Sequence, residues 1–192
     1  FICASAVGYY GSRGDEILNE SSRAGSGFLV DVAKEWESEA QRATDFGARV
    51  ALARIGVVLS PRGGMLATVL PIFNLGMGGP VGDGKQFISW ISIDDVIGAL
   101  HHVLMTPAIT GPVNLVAPNA VSNAEFARTL GRVLHRPAFM WVPAAAARLA
   151  AGAMADETVL ASVRATPDVL VASGYPFRHA TLEAALRHVL GR

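Results

Sequence analysis

The sequence predicts an α/β fold with a mainly parallel sheet, and three observations predict it. Short β-branched apolar runs alternate along the chain with stretches of helical period, the order in which helices cover both faces of a parallel sheet. Stop signals such as Gly47 and Pro61 with Gly63-Gly64 separate the runs. The 192 residues are 51% hydrophobic and only 17% charged, enough apolar surface for a sizeable core in one ordinary domain with a small appendage.

Phe1 to Ser5 reads as a fully buried strand. The polar stretch that follows, to Ser26, reads as a long loop of the kind that commonly carries function. From Gly27 a helical period places Leu29, Ala33, Trp36, Ala40 and Ala43 on one face. Arg49 to Ser60 is a second strand run, and a helix is expected from Met65 towards Leu75. The glycine-rich 76–84 segment reads as a flexible surface loop. Phe87 to Ile93 looks extended, and Asp94 to Met105 helical, with Asp94 and Asp95 as its caps. Val113 to Val116 is a further strand, and Ser122 with Glu125 has capping-box spacing. After Arg136 the pieces shorten: an apolar stretch at Phe139 to Val142, an alanine-rich packed helix near 144–155, a helix begun at Thr166-Pro167-Asp168, and a last one from Thr181 to Leu190. Residues 1–135 and 136–192 are therefore expected to form two units. Phe1 opens directly inside an apolar run, which reads as a truncated start.

Lys plus Arg equals Asp plus Glu at 16 each. Zero net charge without a basic stripe argues against a nucleic-acid partner, which needs clustered cations. No apolar run approaches the ~18 residues of a membrane span, and the lone cysteine, Cys3, suits a reducing cytoplasm. His101 and His102 have no metal-ligand set at useful spacing, His135, His179 and His188 are scattered, and no metal is expected.

Four stretches in order carry a resemblance. They are Ser5-Ala-Val-Gly-Tyr9-Tyr10-Gly11, Arg54-Ile55-Gly56-Val57-Val-Leu-Ser-Pro61, the run from Gly82 through Gln86 and Trp90 to Asp95-Val96, and Gly111-Pro-Val-Asn-Leu115. Together, with the Gly174-Tyr175 and Phe177 tail, the chain resembles the C-terminal portion of atypical extended short-chain dehydrogenases/reductases, the epimerase-family proteins. That resemblance implies the C-terminal half of a Rossmann-like, doubly wound parallel sheet, a small substrate lobe and a helical C-terminal extension. It implies NAD or NADP as cofactor, NADP slightly preferred, with the main phosphate-binding half lying in a missing N-terminal portion. No glycine-rich turn leading into a helix occurs here; the Gly76 to Gly82 run contains Pro80 and precedes no clear helix.

In that superfamily a serine polarises the substrate carbonyl, and a tyrosine with a lysine four residues later moves the proton. The spacing sets both on one helical face. Ser5 keeps the serine position, either as catalytic and cofactor-contacting residue or as a strand-end hydrogen bonder. The Tyr-x-x-x-Lys pair is missing: Lys34 has Val30 four residues before it. Tyr9 and Tyr10 in the next loop either face a substrate or pack on the sheet, with Tyr10 the proton donor in the first case. Ile55, Gly56 and Val57 match the strand end beside the nicotinamide, although relatives usually place Asn at Val57. Gln86 and Trp90 are candidate substrate contacts, with Trp90 as core the alternative. Ile88 stands where nucleotide-sugar enzymes place a diphosphate-binding arginine, which argues against such a substrate. Two function classes result. One is an NAD(P)-dependent oxidoreductase/epimerase-like protein of altered active site acting on a small molecule. The other is a catalytically silent NAD(P)-binding sensor or partner-binding module.

Overall fold

A computed structural model describes residues 1–152 and 154–192. Three parallel strands form the main sheet in the order β1 (Ile2–Ala6), β3 (Ala51–Ile55), β7 (Gly111–Leu115). One face of it, through Cys3 and Leu52, packs on Ala40 of α1 (Phe28–Gln41). The opposite face, through Ala51, Ala53, Val113 and Leu115, packs on Val96, Ala99 and Val103 of α3 (Ile93–Met105). The alternation of side chains along a strand thus supplies two apolar faces, and a helix covers each.

The second strand run is longer than one sheet. At Gly56 the chain leaves β3 and continues as β4 (Val57–Leu59), which pairs in parallel with β6 (Trp90–Ser92) in a second small sheet. A Cβ on Gly56 would lie 2.4 Å from the Ser89 carbonyl oxygen and 2.8 Å from a Val116 methyl. No larger residue fits that crossing. A second core surrounds β4 and β6. Leu59, Leu66 of α2 (Gly64–Asn74), Trp90, Leu130 of α4 (Asn123–Leu134), and Leu182 and Leu186 of α8 (Leu182–Leu190) are all buried in it.

Residues 136–192 do not close on a core of their own among the described residues. Besides α8, β9 (Arg164–Ala165) pairs with β2 (Ile17–Leu18) in the long loop, and Leu170 of α7 (Asp168–Ala172) joins the α3 core. The alanine-rich segment forms α5 (Ala144–Ala151) and α6 (Met154–Glu157), with Ala153 outside the described residues. It is not the packed helix the composition predicts: Leu149 is 89% exposed. Small side chains make helix without supplying enough apolar surface to bury it. The 76–84 segment also departs from a flexible loop. Met140 N–H donates to Gly78, Val142 N–H to Pro80 and Gly82 N–H to Val142, a seam closed by β5 (Phe87–Ile88) pairing with β8 (Val121–Ser122).

Helix ends follow their sequence signals with one change. Ser122 Oγ accepts from Glu125 N–H at 3.2 Å, half of a capping box. At α3 the cap is Ser92, whose Oγ accepts from Asp95 N–H at 3.0 Å, rather than Asp94 or Asp95. Asp95 is buried and takes a different part. Its carboxylate accepts from Arg178 N–H (2.8 Å), His179 N–H (3.0 Å) and the Tyr175 hydroxyl (3.2 Å). That clamp ties the turn before α8 to α3, and burial beside Asp95 pushes the Tyr175 phenol well up.

Candidate active site

Three polar residues stand in register across the main sheet: Ser5 opposite Arg54, and Arg54 opposite Asn114. All lie on the face that α1 covers, because each is two residues on from an inward apolar neighbour or its strand partner, such as Cys3 and Leu52. A guanidinium inside a strand needs a partner, and α1 supplies it. Glu37 accepts two parallel bonds from Arg54, Nε to Oε1 at 2.9 Å and Nη2 to Oε2 at 2.8 Å. The side chains are 3% and 8% exposed. Burial alone would lower the Arg54 pKa, but its bonds to Glu37 and Tyr10 outweigh that and drive it upward.

This pairing turns α1. Its buried stripe is Val30, Ala33, Glu37 and Ala40, while Trp36 is 59% exposed. The apolar pattern predicts the neighbouring face, because it gives no credit to a carboxylate; the sheet selects the face carrying Glu37.

The network takes up every hydroxyl proposed for proton chemistry. Ser5 is half-buried and its Oγ donates to Glu37 Oε1 at 2.6 Å. Its single proton is committed, so Ser5 offers a substrate carbonyl only lone pairs. Tyr10 has no exposed surface. Its hydroxyl donates to Asn114 Oδ1 at 2.7 Å and accepts from Arg54 Nη1 at 3.1 Å. Burial raises its pKa against the opposing effect of Arg54. A proton-donor role for Tyr10 therefore has no geometric support; it belongs to the buried network. Tyr9 is half-buried and lies under Arg54, whose guanidinium carbon is 3.5 Å from the ring centroid.

Asn114 carries the network on, donating from Nδ2 to Thr166 O at 2.9 Å. Its backbone N–H donates to Glu20 Oε1 at 3.0 Å. Glu20 also accepts from Val169 N–H at 3.3 Å, while its buried Oε2 has no partner among the described residues. Burial pushes this carboxyl up, against the lowering effect of those amides.

The positions matched to the nicotinamide side lie together at the carboxyl end of β3, where ligands of open α/β sheets bind. Ile55, Gly56 and Val57 are each half-buried, and Ile55 is in register with Ala6, the residue after Ser5. Gly56 N–H donates to Leu115 O at 3.0 Å and Val57 N–H to Ser89 O at 2.7 Å. Both amides are therefore taken up inside the fold. The missing side chain of Gly56 faces Ser89 and Val116, so the strand crossing, not a cofactor, accounts for the glycine.

Trp90 is fully buried and donates from Nε1 to Asn119 O at 2.9 Å, which makes it core and removes it as a substrate contact. Gln86 is 8% exposed and donates from Nε2 to Val81 O and Val159 O, leaving its Oε1 without a partner among the described residues. Ile88 is half-buried in β5. Glu157 reaches from α6 to accept from the Phe28 and Leu29 amides at 3.1 and 2.7 Å, capping α1 beside the site. Local sequence pattern does not single out Arg54, Glu37 or Asn114, although an arginine inside an apolar strand is a usable signal.

A family model described as a domain of unknown function (DUF1731) matches residues 142–189. Epimerase family protein Mb2239 of Mycobacterium bovis is 45% identical over 191 residues, covering 100% of this chain and 64% of that protein. The epimerase family protein SDR39U1 homolog, chloroplastic, of Arabidopsis thaliana is 38% identical over 98% of the chain and 54% of its own length. The chain thus spans less than two thirds of these relatives. Among solved structures, human epimerase family protein SDR39U1 (isoform 2) with NADPH superposes with a TM-score of 0.94 at 34% identity, over 100% of this chain and 65% of that one. UDP-glucose 4-epimerase from Thermus thermophilus with NAD, at 17% identity and a TM-score of 0.71, shares the fold.

Proposed function

Since the chain matches epimerase-family proteins of the extended short-chain dehydrogenase/reductase kind along its whole length, we propose that the protein carrying it binds NAD(P), with NADPH favoured, and acts as an oxidoreductase or epimerase-like protein of altered active site on a small molecule. The NADPH of the human relative supports the cofactor. A bound nicotinamide supplies hydride transfer; the residues of this chain that would border it are Ser5, Ile55, Gly56 and Val57. The observation that carries the altered mechanism is the Ser5–Glu37 bond of 2.6 Å. Ser5 holds its oxygen in place but donates to Glu37, so any proton for a substrate comes from elsewhere. Ile88, which has no charge for a diphosphate, supports a substrate other than a nucleotide sugar. Tyr9, half-buried against the Arg54 guanidinium, is the candidate substrate contact beside the site. The phosphate-binding half is expected outside this chain. We place the protein in the cytoplasm, in keeping with the lone buried Cys3; among the described residues no helix is long and apolar enough to cross a membrane.

The same bond favours a second reading, a silent NAD(P)-binding sensor. Full-length protein and its Ser5→Ala variant separate the two in paired assays of NADPH affinity and of nicotinamide turnover with carbonyl and hydroxyl metabolite sets. The enzyme reading expects turnover in the parent and at least a tenfold loss in Ser5→Ala, with affinity changed less than threefold. Turnover absent from the parent while NADPH binds overturns the enzyme and leaves the sensor. Failure to bind NADPH overturns both.

A further inference from the structure

Far apart in sequence, Asp94, His179 and His188 meet on the outer side of α3. His188 Nε2, in the last turn of α8, is 2.9 Å from Asp94 Oδ2, in the first turn of α3. The His179 ring stacks on that of His188, centroids 4.4 Å apart and planes 27° from parallel. One ligand atom from each of the three residues falls within 4.8 Å of the others.

We propose that these three side chains form a binding site for a divalent transition-metal ion of the zinc class. Two imidazole nitrogens and one carboxylate oxygen are a donor set that such ions take, leaving further positions for water. Ligand atoms on one tetrahedral ion with bonds of ~2.0–2.1 Å lie ~3.3 Å apart. The Asp94–His188 pair is already near that spacing, and the wider separations close by rotation about side-chain bonds. His188 and Asp94 are 53% and 34% exposed, so an ion can reach them from solvent. The frame is rigid where it matters. The His179 backbone N–H is held by Asp95 Oδ2, inside the clamp that fixes this turn to α3. Each neutral imidazole offers one ring-nitrogen lone pair and the carboxylate offers several more, donors that one cation can take up together. Bound metal would join the last turn of α8 to the first turn of α3. This site is independent of the NAD(P) reading, since none of its residues belongs to the Ser5 network.

The test is zinc titration of metal-free full-length protein by calorimetry, with Co2+ absorption spectra as a second readout. One equivalent binding with micromolar or tighter affinity is expected, together with a raised Tm. His179→Ala and His188→Ala should each weaken binding at least tenfold, and His101→Ala should not. Co2+ in the site should show visible d–d bands that vanish in His188→Ala. Millimolar binding only, or affinity unchanged in both histidine variants, overturns the site; circular dichroism of each variant confirms that loss of binding is not loss of fold.

Discussion

Arg54 and Glu37 show how a polar pair governs the residues around it. Removing one partner leaves the other charged and buried, at a cost of about 3–5 kcal/mol. Arg54→Leu should lower stability by that amount in urea unfolding, because the Glu37 carboxylate then keeps only the Ser5 hydroxyl. Glu37→Leu should cost a similar amount. The double variant should be more stable than either single one, since no unpaired charge remains. Additive losses in the double variant would mean the pair contributes nothing as a pair. Ser5 and Tyr10 inherit their roles from this pair: both hydroxyls are oriented by groups whose positions the ion pair sets.

At the scale of elements, the change of sheet at Gly56 is the tightest joint in the fold. Gly56→Ala pushes a methyl group against the Ser89 carbonyl and Val116. Neither backbone nor a buried valine yields readily, so a loss of about 1–3 kcal/mol in unfolding free energy is expected, read as a lower urea midpoint; an unchanged midpoint would show that the crossing is slack. Much at this scale was legible in the sequence. The α1 segment announces itself by its period and the start of α4 by the Ser122 cap. What stayed hidden has physical reasons. Strands β2 and β9 are two residues each, too short for any period to show. The turn of α1 was hidden because Glu37 and Trp36 exchange the expected places of polar and apolar residues. Tyr10 and Trp90 were open between packing and function, and only burial decided them. The Ser5–Arg54–Asn114 row depends on register between three strands, which no local pattern encodes.

For the molecule as a whole, Glu20 joins three separate stretches: the long loop, β7 through Asn114, and α7 through Val169. Its folded pKa is raised above the unfolded value of about 4.5, chiefly by burial. The folded protein therefore holds this proton where the unfolded chain releases it. The stabilising contribution is complete below the unfolded pKa and declines as pH rises through the folded one. Glu20→Gln cannot titrate, yet its amide oxygen can still accept from both amides. The stability of the parent relative to Glu20→Gln should accordingly fall as pH rises above the unfolded value, measured as urea midpoints at each pH. A parent that gains on the variant over that range would reverse the sign and exclude a raised pKa.

The Asp95 clamp has a consequence for turnover in the cell. Arg178 N–H, His179 N–H and the Tyr175 hydroxyl all come from the last fifth of the chain. A ribosome that stops early, or a protease that cuts before Tyr175, removes these three donors at once. Asp95 would be left in the α3 core with Ser92 as its remaining side-chain partner among the described residues. The same truncation strips Leu182 and Leu186 from the second core, baring the apolar side of α4. Incomplete copies would thus carry both a stranded charge and a greasy surface, the features by which chaperones and proteases tell unfinished chains from finished ones. The segment from Tyr175 onward thus screens a buried charge and an apolar face together.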